Sequence, residues 1–272
     1  MNQVVLTSLA VSSVVGGWAL ETKPWLGNFL EWEFDAAFTY SRYSHVQDAK
    51  VQLSHPSNDK LVALDLSFRP GRQFDLQAEV ELAATPRQPF GYRSVAVQGR
   101  YLWLDDIQGD PISWTSGLNV REVGHKSNRD VSSPYHSYLN VEVNTAIGKE
   151  WSKQAMWTRR LYGFLGLGVA NQGSPWIRAL SAWEWNWEDR HRLRLGAEGY
   201  FGLGTKQHVD VDHFYGWGKF HHQSIDLFAT YQRRLGVWGY LGTQYGYRVF
   251  AKTFPEHVNF MTVFYRLPFS PF

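Results

Sequence analysis

Cysteine is absent from the 272 residues, so disulfides and thiolate metal sites are excluded. No apolar run reaches the roughly 18 residues that a membrane-spanning helix needs. Charge of one sign is also lacking. Lys and Arg number 27 against 25 Asp and Glu, leaving a net charge of +2, which suggests neither nucleic acid nor a polybasic membrane anchor as a partner. No Pro/Gly/Ser-rich linker or charge run divides the chain, so it is read as one domain.

What is present is aromatic. Phe, Trp and Tyr make up 16% of the chain, with 13 Trp, yet the mean hydropathy is negative. That combination suits a sheet with one oily face and one wet face. Phe29 to Tyr43 shows it most clearly. Leu30, Trp32, Phe34, Ala36, Phe38 and Tyr40 share one face of an extended strand, and Glu31, Glu33, Asp35, Ala37, Thr39 and Ser41 share the other. On a helix the three acids would be scattered among the apolar positions. A strand of this length crosses a bilayer when tilted.

The same alternation recurs at 62–69, 74–82, 95–103, 112–121 and 139–147, then at 161–170, 177–187, 193–201, 225–232, 239–250 and 258–267. The long connections (44–60, 124–137, 205–223) follow odd strands only, and the connections after even strands are short. Long outer loops and short periplasmic turns are the outer-membrane arrangement. The expected fold is therefore all-β: a closed antiparallel up-and-down transmembrane β-barrel of about twelve strands. Trp103, Trp151, Trp157, Trp187 and Trp238 lie beside the short turns, where indole rings would form a girdle at headgroup depth. Residues 20–272 are assigned to the barrel. Residues 1–19 are read as a secretory leader, apolar from Val4 to Val15 and ending in the small-x-small site Gly17-Trp18-Ala19, although Met1-Asn2-Gln3 carries no positive charge. A short N-terminal strand or plug segment is the alternative.

The chain ends in Phe272, preceded by the alternating Tyr265, Leu267 and Phe269. This resembles the aromatic-ended last strand of Gram-negative outer-membrane barrels. The resemblance implies a bacterial outer-membrane location, with membrane lipids and the assembly machinery as partners. Pro268 and Pro271 depart from the pattern and are expected past the last ladder bond.

With the apolar face toward lipid, the other face lines a narrow lumen. Glu31, Glu33, Asp35, Asp65, Asp75, Glu79 and Glu81 come from the first three strands, an acidic wall. Arg100, Arg121, Arg178, Arg194 and Arg248 come mostly from later strands, a basic wall. Either the walls stay apart across a water-filled pore that orients small polar solutes, or the arginines cross the lumen and pair with the acids. A small diffusion channel or structural barrel is the expected function.

Gly124-His125-Lys126-Ser127-Asn128 carries a second reading. His-x-Ser-Asn resembles the catalytic motif of outer-membrane phospholipase A and lipid A deacylase. The resemblance would make His125 the base, Ser127 the nucleophile and Asn140 or Glu142 the orienting group, with calcium implied only in the phospholipase case. Arg129 stands where the phospholipase has Gly, and His125 and Ser127 share the lumen parity of Asn119 and Arg121. No other cofactor is implied. The loop 129–136 is expected to be solvated, with an inward constriction as the other outcome. His208, Asp210, Asp212, His213, His221 and His222 crowd the longest loop without fixed metal-ligand spacing, and are read as wet loop residues rather than a cation site. The glycine run 163–168 lacks the GK[ST] of a phosphate loop and lies in strand context.

Overall fold

The computed structural model describes residues 20–50, 55–153 and 156–270. The expected leader, 1–19, and the terminal Pro271 and Phe272 lie outside the described residues. Strands run in the order β1 (Trp32–Tyr43), β2 (His45–Val46), β3 (Ser57–Phe68), β4 (Phe74–Thr85), β5 (Gln88–Leu104), β6 (Ser113–Val123) and β7 (Leu139–Lys153). They continue as β8 (Met156–Ala170), β9 (Trp176–Trp187), β10 (His191–Gly202), β11 (Gln223–Arg234), β12 (Tyr240–Lys252), β13 (Pro255–Glu256) and β14 (Asn259–Phe269). All except β2 and β13 form one closed barrel of 12 strands, in which β1 pairs antiparallel with both β3 and β14. The two short strands pair with each other and clip an outer loop to the β12–β14 connection.

Each expected strand is present, and several run further than alternation suggests. β3 starts at Ser57, β5 at Gln88, β7 continues to Lys153 and β8 starts at Met156. Apolar alternation marks only the part of a strand that meets hydrocarbon, whereas the hydrogen-bond ladder continues past the bilayer into the rim. The period-two pattern sorts as expected. Phe38, Leu64, Val97, Leu118, Val143 and Leu167 point outward and are exposed, whereas Asp35, Ala37, Thr39, Ala63, Gln98 and Asn119 are buried. An apolar outer band over a polar interior inverts the packing of a water-soluble barrel, and a lipid solvent accounts for it.

Two expectations need correction. Trp103, Trp151, Trp187 and Trp238 are exposed, as a girdle requires, but Trp157 is buried. The β7–β8 register shifts between Trp151 and Ser152, which pair with Arg159 and Trp157 respectively, so Thr158 is skipped. That one-residue bulge flips Trp157 to the inner face. There its ring lies under Arg160, 4.3 Å from the guanidinium carbon. Pro268 is not beyond the ladder but inside it, opposite Glu33 of β1. The β12 side of β14 is paired only as far as Arg266, so Pro268 has a partner strand on one flank alone, where a missing N–H is tolerated.

Candidate functional site: the lumen and its inward segments

Most of the inner charges find partners along the wall. Arg266 on β14 grips Asp35 on β1 through two bonds of 2.7 and 2.5 Å and lies 3.3 Å from Glu33. Arg100 donates to Asp75 at 2.6 Å. Arg121 reaches past β5 to Glu79 at 2.5 Å and Glu81 at 3.4 Å. Arg178 reaches Glu142 at 2.9 Å and Glu198 at 3.5 Å. Arg248 holds Asp226 through two bonds of 2.7 and 2.9 Å. Arg194 donates to Gln244 at 3.0 Å and Tyr162 at 3.3 Å. Asp65 accepts from the Gln77 amide at 2.8 Å. Half-buried Glu31 accepts from Asn28 at 2.7 Å.

Each of these ion pairs joins neighbouring strands or strands one apart. The sequence offered separate walls or arginines bridging the lumen; the structure has a circumferential ladder instead. Arg266 decides this at the seam: 231 residues from Asp35 in sequence, it becomes adjacent only when the barrel closes. Arg160, Arg192, Glu184, Glu198, Asp226 and Arg266 are buried inner residues that sequence reasoning did not single out. Strand parity carried the signal for most of them; Arg266 sits between the outward Tyr265 and Leu267.

Because the charges pair sideways, the lumen axis is left to chain segments. The first runs through residues 20–27, where Leu20, Glu21, Thr22, Lys23, Trp25 and Leu26 are buried. On one side the Glu21 N–H donates to Gln77 at 3.0 Å, and Gln98 and Arg100 donate to the Glu21 and Lys23 carbonyls at 3.0 and 2.8 Å. On the other, the Lys23 ammonium lies 2.7 Å from Glu184 of β9. β4 and β9 are nearly opposite in the ring, so the segment bridges the interior. Lower down, Trp25 donates to Asp106 in a short turn at 2.9 Å and meets Tyr162 edge-on at 5.8 Å. Residues 20–27, assigned from the sequence to the barrel, thus lie inside it rather than in its wall; the plug alternative concerned 1–19, outside the described residues.

The second inward segment is the β6–β7 connection. Expected to be solvated, it is instead largely buried: Ser127, Asn128, Asp130, Val131, Ser133, Tyr135, His136 and Ser137 all have little exposure. The Tyr135 hydroxyl donates to Glu81 and accepts from Arg121 at 3.2 Å. Thr85 donates to Asp130 at 2.5 Å, and Tyr200 of β10 donates to the Pro134 carbonyl at 3.0 Å. The long β10–β11 loop lies over it, with Trp217 donating to the Ser133 carbonyl at 2.7 Å. Tyr43, Val131, Trp176, Phe214, Trp217, Phe220 and Phe254 complete an aromatic cap at the outer end. Apolar residues at 131, 214, 217 and 220 were the available signal that these loops leave water.

His136 and His222 sit inside this cap, with Nε2 atoms 3.2 Å apart; His136 stacks on Trp176 and meets the Tyr200 hydroxyl at 2.7 Å. Desolvation lowers His136 to about 3, and burial together with His136 and Arg248 pushes His222 well below the ordinary range. The His and Asp residues of the longest loop therefore separate: His222, expected in water, is buried in the cap, while exposed His213 turns back to Asp210 at 3.3 Å. Among the described residues no group of three or more metal-ligating side chains forms. The glycine run accommodates bulk from neighbouring strands: a Cβ on Gly168 would lie 1.9 Å from the Trp176 ring, and one on Gly166 2.6 Å from Glu142.

The hydrolase constellation does not assemble. His125 is exposed and stacks on Tyr138, while Ser127 is buried and donates to Gln88 at 2.8 Å. Asn140 ties the loop end, donating to the Ser137 carbonyl at 2.7 Å, and Glu142 is committed to Arg178. Strand β6 ends at Val123, His125 and Lys126 form a turn, and Ser127 opens a 3-10 helix (Ser127–Arg129), so neither residue keeps the strand parity on which their shared face depended.

A closed antiparallel barrel with an apolar outer band and paired charges inside defines a transmembrane barrel of the outer-membrane type. Solved structures agree on the fold. The chain is similar to the COG4313 outer-membrane channel from Pseudomonas putida F1, with 9% identity, a TM-score of 0.68 and coverage of 99% of this chain and 100% of that one. The NanC porin matches at 11% identity and a TM-score of 0.56, covering 85% of this chain and 97% of that one. For the KdgM porin the values are 10%, 0.51, 85% and 98%. No family model matches the sequence, and no curated protein matches it.

Proposed function

We propose that this protein is a small outer-membrane diffusion channel for polar solutes, held shut by residues 20–27 and 129–136. One observation carries the reading: most interior charges pair from strand to strand around the wall, while the centre is occupied by residues 20–27 and the β6–β7 connection. Such segments can leave without breaking the ion pairs of the wall, whereas arginines spanning the lumen would make closure permanent. A purely structural barrel has no need for this division of labour. The similarity to channels and porins is a likeness of fold and is consistent with the reading. In planar bilayers the purified protein should show ohmic conductance, and deletion of 20–27 should raise the fraction of time spent open. If neither form conducts, the channel reading fails and a scaffolding barrel replaces it.

A further inference from the structure

We propose that the outer half of the lumen carries a binding subsite for a small zwitterion, about the size of glycine or alanine, held between Arg93 and Asp59. A cavity of about 60 Å³ lies under the cap, with both residues in its lining beside Ser41, Leu61, Phe254 and Phe260. At roughly 10–15 Å³ for each water-sized position, it holds about four to six non-hydrogen atoms.

The charges facing this cavity are unusual for this barrel because they are left over from the ladder. Arg93 is 6% exposed. Its Glu81 contact is long, 3.8 Å, and Glu81 already serves Arg121 and Tyr135. Among the described residues its side chain makes one hydrogen bond, of 3.5 Å from Nη2 to the Ser132 carbonyl, and its Nε makes none. Asp59 is equally buried and accepts the Ser57 hydroxyl at 2.5 Å, but has no ion-pair partner among the described residues. Arg248, also in the lining, is spent on Asp226. One guanidinium and one carboxylate therefore line the same space, together with the apolar Leu61, Phe254 and Phe260. A simple carboxylate entering to meet Arg93 would also meet Asp59, and a simple amine would meet Arg93. A molecule carrying both charges answers both groups and leaves its short carbon body against Leu61, Phe254 and Phe260.

This subsite names the solute class of the proposed channel and rests on that reading only for how the solute arrives. Binding is therefore measured without transport, by calorimetry and saturation-transfer NMR on detergent-solubilised protein at neutral pH. Glycine is the probe, with propionate and ethylammonium as single-charge controls. Glycine should bind at least about tenfold more tightly than either control. Arg93→Gln and Asp59→Asn should each weaken glycine binding about tenfold or more, and Asp59→Asn should narrow the gap between glycine and propionate. Arg93→Lys, which keeps the charge, should retain part of the affinity. Heat-modifiable migration on gels confirms that each variant is a folded barrel. Equal binding of the three probes, absence of saturable glycine binding, or indifference to both neutralising variants overturns the subsite. Normal conductance with no glycine binding removes the subsite alone; glycine binding without conductance removes the channel alone.

Discussion

Replacing Lys23 by leucine should loosen the inner of the two segments that close the lumen. The Lys23 ammonium lies 2.7 Å from Glu184, with side-chain exposures of 1% and 4%. Removing one partner of a buried pair costs about 3–5 kcal/mol, because the remaining charge is stranded away from water. Here Arg194 and Arg160 also act on Glu184 and offset part of that loss, so about 2–3 kcal/mol is the expected penalty on the docked state. At 1.4 kcal/mol per decade this shifts the closed-to-open ratio by roughly 30- to 150-fold. The bonds to the Glu21 and Lys23 carbonyls are made by backbone and survive the substitution, so the segment should be weakened rather than abolished. Single-channel open fraction in planar bilayers measures the shift. Lys23→Leu and Glu184→Gln should each raise it, Lys23→Arg should stay near the native value, and the double variant should be much less than additive. An open fraction within twofold of native for both neutralising variants, or an equal rise for Lys23→Arg, refutes the account of the segment as an ion-paired plug.

Three further outcomes follow from the lumen and its cap. His136 and His222 are buried neutral, with His136 lowered to about 3 and His222 well below its usual value. The unfolded loops bind protons near 6.5 and the folded cap does not, so cap stability is complete above about pH 6.5. It falls by about 1.4 kcal/mol per pH unit per imidazole below that. Hydrogen exchange in 124–138 and 203–222 should accelerate from pH 6.5 to 5, and the acceleration should be lost in the His136→Asn, His222→Asn double variant. Arg121→Met strands Glu79 and Glu81 and should cost about 3–5 kcal/mol in denaturant unfolding, with Glu79→Gln recovering part of it. Ser127→Ala removes one hydrogen bond to Gln88, worth about 1 kcal/mol, and should leave fatty-acid release from mixed micelles at the background level of the native protein; Ser127-dependent release would reverse the placement of that residue as structural.

The barrel was legible because a lipid solvent imposes a simple rule on sequence. Lipid-facing positions are predominantly apolar, so Trp32, Phe34 and Phe38 alternate with Glu33, Asp35 and Thr39, and one residue of slip would put carboxylates into hydrocarbon. The asymmetry of loop lengths then set the orientation. Trp157 shows the limit of that rule: at the rim a single bulge reverses facing, and no periodicity reveals where a ladder skips a residue.

The composition of the inner face was likewise fixed by the sequence, but its pairing was not. Which carboxylate Arg266 holds depends on β14 lying beside β1, a contact made by closure between ends 231 residues apart. The inward course of 20–27 and 129–136 is also a tertiary outcome, since Lys23 finds Glu184, Tyr135 finds Glu81 and Asp130 finds Thr85 only once the strands that carry those partners have closed around the lumen. His125 and Ser127 make the same point in reverse, close in a suggestive motif yet one exposed and one buried because the chain leaves its strand before reaching them. Alternation is a local property and was written in the chain; enclosure is a property of the closed ring, and it alone decided which charges meet and what fills the space between them.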